Sequence, residues 1–356
     1  MPSKTPSKTL SKSVPSAAAA PDPYKRLGPA RLLEIHRLMV RARLLEERLI
    51  KMSKGGDGFF WIGGPGEEAF NVPLGLHVKR GAGVDHDFLH LHYRSSAIML
   101  AMGAKPIDSI RQMRSVATDP YSKGRNFVNH YAIPQWNVAP VTPTIETQYL
   151  TAIGTGVAQA RAKTDSVTIV NGGDGGSAEG DFHSCLVWAN RPALPLPILI
   201  VVVNNGWAIS TKGDTQHGER DIADWAKTFP DMPGRTIDGN DVATTWAALD
   251  EAFDYVRKNR RPYLLEARCS RLYGHSSSSG ANRLPEKDCI ALFEESLVGR
   301  GLSKADALKK AWETEAAAID EAHQKVKGEP FPADETVWED VFVDPIPPSY
   351  PTKGRS

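Results

Sequence analysis

The sequence predicts an α/β fold with a central, mostly parallel sheet flanked by helices, and three observations carry that prediction. Val167-Thr168-Ile169-Val170 and Ile198 to Val203 are apolar runs of strand length, ending in the polar tips Gly173-Asp174-Gly175 and Asn204-Asn205. The 28 residues between Gly175 and Asn204 leave room for one crossover helix and a return strand, which makes a βαβ unit. A second unit follows: Arg235-Thr236-Ile237 as a short strand, Asp238 to Asp241 as a turn, Val242 to Asn259 as a helix and Tyr263 to Ala267 as a parallel strand.

The remaining elements follow in chain order. Residues 1–28 read as a disordered N-terminal extension. The first 22 are rich in Ser, Lys, Ala and Pro, and ordering them costs about 1–2 kcal/mol per residue in backbone entropy. Leu10 and Val14 return only about 1.5–3 kcal/mol each on burial. Residues 29–330 form one domain, with its core over 140–285. Pro29 opens a long amphipathic helix to Met52, with Leu32, Ile35, Leu38, Met39 and Leu45 as its apolar stripe. A glycine-rich stretch interrupted by Phe59-Phe60-Trp61 leads to a helix opened by Glu67-Glu68-Ala69. Phe88 to Gly103 reads as an apolar helix with Tyr93-Arg94 near its start. Ile145 to Lys163 reads as another, in which Gly154, Gly156, Ala158 and Ala160 permit a close neighbour. The crossover helix runs from Glu179 to Asn190, with Phe182, Leu186 and Ala189 toward the sheet. Residues 269–286 form a long polar loop of the kind that carries function. Ser303 with Asp306 caps a last helix through Lys327, ended by Gly328. Residues 331–356 are an extended tail, rich in Pro from Pro345.

Composition narrows the classes of partner. The chain has 356 residues, 41% hydrophobic and 24% charged, with a net charge of +1, so no nucleic-acid or membrane surface is expected. No apolar run nears the ~20 residues that span a bilayer. Cys185, Cys269 and Cys289 contain no C-x-x-C pair and read as reduced thiols, Cys185 as a small core residue. The N-terminal segment lacks acids before Asp22, as transit peptides do, but also lacks arginine. A bacterial cytoplasmic location is expected, with the mitochondrial matrix as the alternative.

Both polar tips fall at the carboxyl ends of parallel strands, where open α/β sheets bind ligands. An Asp and an Asn meeting there beside a glycine-rich turn suit a divalent metal that grips a diphosphate. A rival pattern overlaps: Gly173-Asp174-Gly175-Gly176-Ser177-Ala178 also fits the dinucleotide motif G-x-G-x-x-A. That site needs an acidic residue at the end of the second strand, and residues 190–203 contain none. Asp174 also lies inside the phosphate turn, where two anions about 4 Å apart repel by about 4 kcal/mol at an effective dielectric of 20. A bound Mg²⁺ reverses that sign and makes the carboxylate a ligand.

The flanking strands, the spacing and the double Asn resemble the thiamine diphosphate motif. Over roughly residues 29–300 the chain resembles the α subunit of the E1 component of 2-oxo acid dehydrogenase complexes, most closely the branched-chain type. The resemblance is carried by Gly173 to Asp181, Asn204-Asn205-Gly206-Trp207-Ala208-Ile209-Ser210 and Ile237-Asp238-Gly239-Asn240-Asp241. It is also carried by His92-Tyr93-Arg94, Gly124-Arg125 with His130-Tyr131, and Gly274-His275-Ser276. It implies a thiamine diphosphate-binding fold and roles for named residues. Asp174 and Asn205 would ligate Mg²⁺ through side-chain oxygens and Trp207 through its carbonyl. Gly175 and Gly176 would offer N–H groups to the diphosphate near the crossover helix. Arg94 would pair with the diphosphate oxygens, His92 and Tyr93 would line the pocket, and Ile145 would sit beneath the thiazolium ring or else be an ordinary core aliphatic. His275 would contact the reacting end of the cofactor, since an imidazole moves protons near neutral pH. His130 is the second choice, as a structural or channel-lining residue. Thr147 and Gln148, within Thr142 to Gln148, are candidates for a monovalent cation such as K⁺.

One departure concerns the late loop, where Ser278-Ser279 replaces the family's usual Ser-Asp. The serine cluster reads as a solvated flexible loop, or as a phosphorylation site at Ser276 that would add about −2 charge beside a diphosphate pocket. The resemblance also implies the reaction: oxidative decarboxylation of a 2-oxo acid, with the acyl unit passed to a lipoyl group on an E2 partner. In the family, the glutamate that activates the cofactor comes from a β subunit, and one domain here leaves that half missing. An α₂β₂ heterotetramer is therefore expected. The alternatives are an acetoin dehydrogenase or another thiamine diphosphate enzyme subunit, and a non-catalytic assembly subunit that keeps the fold.

Overall fold

A computed structural model describes residues 23–339, so the expectations for residues 1–22 and for the tail beyond 339 lie outside the described residues. The helices are α1 (Pro23–Lys54), α2 (Glu68–His77), α3 (Ser96–Ala101), α4 (Pro106–Met113), α5 (Thr147–Ala162), α6 (Gly180–Ala189), α7 (Val242–Asn259), α8 (Cys289–Gly299) and α9 (Ala305–Val326). The strands are β1 (Phe88–His90), β2 (Thr168–Gly173), β3 (Ile198–Asn204), β4 (Trp207–Ala208), β5 (Thr211–Lys212), β6 (Gly234–Asp238) and β7 (Tyr263–Arg268). The main sheet has the order β1-β2-β3-β7-β6, and every neighbouring pair in it is parallel. Strands β4 and β5 form a small antiparallel ladder of their own.

The predicted parallel sheet and both crossover units are present. Successive side chains of a strand point to opposite faces, so a strand buried on both sides is apolar throughout. Leu199, Val201 and Val203 of β3 pack with Ile169 of β2 and Leu265 of β7 against Phe70 and Leu74 of α2 and Leu249 and Phe253 of α7. Ile198, Ile200 and Val202 join Val170 and Leu264 on the other face, against Tyr149 and Ala152 of α5 and Phe182, Cys185 and Leu186 of α6. A third cluster, outside the sheet, packs α1 against α4, α8 and α9 through Leu32, Ile35, Met39, Leu45, Ile110, Phe293 and Ile319. The three cysteines are unpaired and buried. Among the described residues no helix is long and apolar enough to cross a membrane.

Several boundaries differ from the sequence reading. Helix α1 starts at Pro23, and Gly28, at φ 71°, breaks it one residue before Pro29. Phe88 to Gly103 is not one helix but strand β1, a tight loop over 91–95 and the short α3. The stretch is apolar enough to read as a helix, but β2 supplies a parallel partner that takes its first three residues into the sheet. Asn171 of β2 then holds the loop, accepting the His92 N–H at 2.9 Å and donating to Ser95 Oγ at 3.0 Å. Ser303 does not cap α9. Lys304 occupies the cap position, while the Leu302 and Ser303 N–H groups both turn back to the Leu297 carbonyl. Helix α8, which the sequence reading passed over, is capped by the Asp288 carboxylate accepting from the Ile290 N–H at 3.0 Å.

The end of the sheet opposite the polar tips is fastened by Asp87, fully buried, which accepts from the Val167 and Lys79 N–H groups and from both Arg257 terminal nitrogens at 2.7 and 2.9 Å. Removing one partner of such a pair strands the other charge and two backbone donors. Asp87→Ala is expected to lower unfolding free energy by about 3–5 kcal/mol in denaturant titrations, without altering ligand binding at the far end of the sheet. A loss below about 1 kcal/mol, the scale of a surface pair, contradicts this account.

Candidate functional site

In the parallel register of β2 and β3, Gly173 lies opposite Val203. Asp174 and Asn205 therefore emerge from adjacent strands at nearly the same level. Asp174 is 1% exposed. Its Oδ1 accepts from the Asn205 N–H at 3.4 Å, while its Oδ2 is buried without a partner. A buried carboxylate oxygen left without a donor costs about 1–3 kcal/mol or more, which is the condition a bound cation relieves. Asn205 Oδ1 accepts from the Trp207 N–H at 3.3 Å, and its Nδ2 donates to Glu67 Oε1 at 3.3 Å. The turn is possible because Gly206 takes φ +75°. No group of three His, Cys, Asp or Glu is poised for a metal among the described residues. The Asp–Asn–carbonyl set is of a different kind, and it suits Mg²⁺, which keeps water and phosphate oxygens in its shell. The residues present fit a magnesium–diphosphate group.

The surroundings keep this arrangement in place. His217 Nε2 lies 2.8 Å from the Asp174 carbonyl oxygen, and Ser177 Oγ donates to the same oxygen at 2.7 Å. Asn204 donates to the fully buried Glu266 at 2.7 Å, and Glu266 also accepts from the Ala223 N–H and the Thr236 hydroxyl. A cavity of about 650 Å³ opens in front of the tips, lined by Asp174, Asn205, Trp207, His217 and Arg268 among others. On the adjoining side Arg94 is buried, with Glu67 at 3.8 Å and His275 Nδ1 at 3.4 Å from its guanidinium. Burial works against its charge, yet Tyr93, Glu67, Asp174 and Glu146 hold its pKa above the ordinary value. A side chain at Gly173 would press against Arg94 Nη1, so Arg94 bridges the β2 tip and the His275 loop.

The three histidines of the site are held neutral. Burial lowers His92 strongly, helped by Arg94, His275 and His130, and burial also lowers His130. Burial and then the Arg94 and Arg271 charges lower His275 to about 4. Arg94 can only donate, so His275 Nδ1 accepts and its proton sits on Nε2. His275 is thus a neutral donor at pH 7. The His92 and Tyr93 rings lie 3.7 Å apart, with Tyr93 6.4 Å from His130 and 5.9 Å from His275. His130 Nε2 is buried and without a partner. Ile145 is 45% exposed, not a core aliphatic. Thr147 donates to the Thr144 carbonyl, and Gln148 donates to the Asn171 carbonyl.

The late loop is more ordered than its composition suggested. Ser276 is buried, pairs by its backbone with Ile62, and forms reciprocal bonds with Ser279, while Ser278 to Gly280 are exposed. Modification of Ser276 therefore requires the turn to open. Trp61 and Ser277 exchange further bonds, which fastens this loop to the 59–62 segment.

The sequence reading missed Glu67, Asn171, Glu146, His217, Glu266 and Glu46. Glu46 accepts from Trp61 Nε1 at 2.8 Å, from Asn129 Nδ2 at 3.2 Å and from the Ser96 hydroxyl, so it ties together the loops that carry Ile62 and His130. Nothing at the sequence level separates it from the surface acids of an amphipathic helix.

A profile of the dehydrogenase E1 component family matches residues 36–335. The chain belongs to the dehydrogenase E1 component family. E1 enzymes are 2-oxo acid dehydrogenases and are generally thiamine diphosphate-dependent. The 2-oxoisovalerate dehydrogenase subunit alpha of Bacillus subtilis (strain 168) is 28% identical over 321 residues, 87% of this chain and 95% of that protein. The protein of that name from Pseudomonas aeruginosa is 28% identical over 334 residues, 90% of this chain and 80% of that one. The human mitochondrial 2-oxoisovalerate dehydrogenase subunit alpha is 25% identical over 335 residues, 91% and 72% of the two chains. A designation as alpha implies a companion beta subunit.

Burial raises the Glu46 carboxyl to about 7, opposed by its Ser96, Trp61 and Asn129 hydrogen bonds. A carboxyl raised on folding stabilises most below its unfolded value of about 4.5 and loses that contribution as pH climbs through about 7. Glu46→Gln cannot ionise, so its stability deficit relative to the parent is expected to be largest near pH 5 and smallest near pH 8 in denaturant midpoints. A deficit that is constant over that range contradicts the shift.

Proposed function

We propose that this chain is the alpha subunit of a heteromeric E1 that acts on branched-chain 2-oxo acids, with thiamine diphosphate and Mg²⁺ held at the β2 and β3 tips. The observation that carries the reading is the buried Asp174 carboxylate with one oxygen unpartnered beside Asn205, in a chain of the E1 family. Asp174 and Asn205 hold the metal through side-chain oxygens and Trp207 through its carbonyl, while the Gly175 and Gly176 N–H groups face the diphosphate. Arg94 neutralises the phosphate end, and a fixed guanidinium suits that task because its fork stays charged at any working pH. When bound, thiamine diphosphate supplies the nucleophilic carbon and the electron sink that decarboxylation of a 2-oxo acid requires.

The chain's own residues supply orientation and proton control. His92 and Tyr93 form one wall of the pocket, and Ile145 supports the ring. His275 donates from Nε2 to an oxygen that gains negative charge, an interaction strengthened by the low dielectric of the pocket. His130 presents its unpartnered Nε2 as a second donor or as channel lining. Thr147 and Gln148 are the candidate monovalent-cation residues. The acyl product passes to a lipoyl-bearing E2, and a beta subunit completes the cofactor site in an α₂β₂ assembly. The names of the relatives favour a branched-chain substrate over pyruvate or acetoin. The location in this reading is the bacterial cytoplasm, with the mitochondrial matrix as the alternative, since the human relative is named mitochondrial.

The test is purification of the chain with its beta partner, followed by decarboxylation assays on 2-oxoisovalerate and pyruvate and a C–C cleavage assay on acetoin. The expected result is a particle with two copies of each chain and the highest kcat/KM on 2-oxoisovalerate. Asp174→Ala should lower that activity by at least ~100-fold, because the anchor of the metal is gone. Preference for pyruvate or acetoin overturns the substrate class. An Asp174→Ala complex with full activity overturns the catalytic reading in favour of an assembly role.

A further inference from the structure

Two glycines flank the Asp174 turn for a reason unrelated to backbone conformation. Neither Gly172 nor Gly176 has a φ in the left-handed region, so any residue could adopt their geometry. What excludes a side chain is one neighbour. The three atoms nearest to a Cβ built on Gly172 all belong to the Glu146 carboxyl end, and the same holds for Gly176, where a Cβ would overlap it outright. Glu146 is 1% exposed and is itself a non-glycine residue at φ +67°, immediately before α5. A left-handed backbone is disfavoured for a residue with a Cβ and persists where its surroundings hold it. Here it turns the side chain inward, so that the carboxyl accepts the Gly173 N–H and lies 3.4 Å from Gln148 Nε2. Gln148 also donates to the Asn171 carbonyl at 3.2 Å, inside β2. One carboxyl group thus touches the turn before Asp174, at Gly172 and Gly173, and after it, at Gly176.

We propose that Glu146 is a positioning residue for the phosphate end of the cofactor, locking the Gly172–Gly176 turn from inside the fold by a fit that requires the missing side chain at Gly176. The inference rests on the thiamine diphosphate reading above. Glu146 acts through Asp174: it braces the peptide on either side of the metal ligand and leaves the unpartnered Asp174 Oδ2 to the metal. A methyl at Gly176 would push the carboxyl away and release both sides of the turn.

The test is a double-mutant cycle on the complete chain with its beta partner. It reads the thiamine diphosphate dissociation constant at fixed Mg²⁺ by calorimetry, and the thermal midpoint without cofactor. Gly176→Ala and Glu146→Ala are each expected to weaken binding by ~10-fold or more, the range of outer-shell losses. Glu146→Gln keeps an acceptor oxygen for the Gly173 N–H and should stay within ~3-fold of the parent, because a shape-conserving swap retains the contact. The double variant should bind more tightly than Gly176→Ala alone, since the methyl then enters space the carboxyl has left. Additive losses, or a Glu146→Ala dissociation constant equal to the parent's, overturn the positioning role. A parent protein that does not bind thiamine diphosphate overturns the functional reading itself. Non-additive thermal midpoints in that case show that the Glu146–Gly176 fit exists but serves another ligand.

Discussion

The parallel pairing of β2 with β3 is the constraint on which the rest of the site depends. With Gly173 opposite Val203, the two strands end together, and the next residue or two of each chain must turn at the same edge. Both strands are buried on both faces and wedged between α2 and α7 on one side and α5 and α6 on the other. A slip by one residue would reverse every side chain, placing Ile169, Leu199 and Val201 against the wrong layer. The hydrophobic core thereby determines where Asp174 and Asn205 meet. Glu266 and His217 add detail to that placement, but they act on a geometry the sheet has already set.

The second constraint is charge. Glu67, Asp174 and Glu146 surround the buried guanidinium of Arg94. Burial pushes Glu67 to about 7 and Glu146 to about 8, with Arg94 opposing in both cases. The chain accommodates excess acid by keeping protons on part of it near neutral pH. A divalent cation at Asp174 would supply positive charge to the same cluster, and a diphosphate would then balance the cation and Arg94 together. The histidines follow the same constraint: burial first, and then the Arg94 and Arg271 charges, keep His275 neutral, and it donates from one nitrogen.

The parts of this arrangement legible in the sequence are those encoded locally. Apolar runs that end in Asp174 and Asn205 reveal strands, crossover and site at once, since strand length and polar tips lie within one stretch of chain. The error at Phe88 to Gly103 arose because a three-residue strand has too few residues to show a period, and its partner lies about 80 positions away. Asn171 carries no local signal, because its partners, His92 and Ser95, reach it only through that pairing. Glu46, Glu67 and Glu146 were missed as site residues because nothing local marks burial of a carboxylate. The one retrospective signal is at Gly172 and Gly176, glycines whose backbone needs no glycine and whose reason is a distant side chain.

The account's central claim is that a metal and a diphosphate enter the buried acid-and-arginine cluster together. The most direct measurement is a calorimetric titration of thiamine diphosphate into the chain assembled with its beta partner, with Mg²⁺ present and again after chelation. The account predicts one saturable site per alpha chain that is lost without Mg²⁺, because Asp174 then repels the diphosphate. Binding of equal strength with and without the metal, or no binding in its presence, would contradict it.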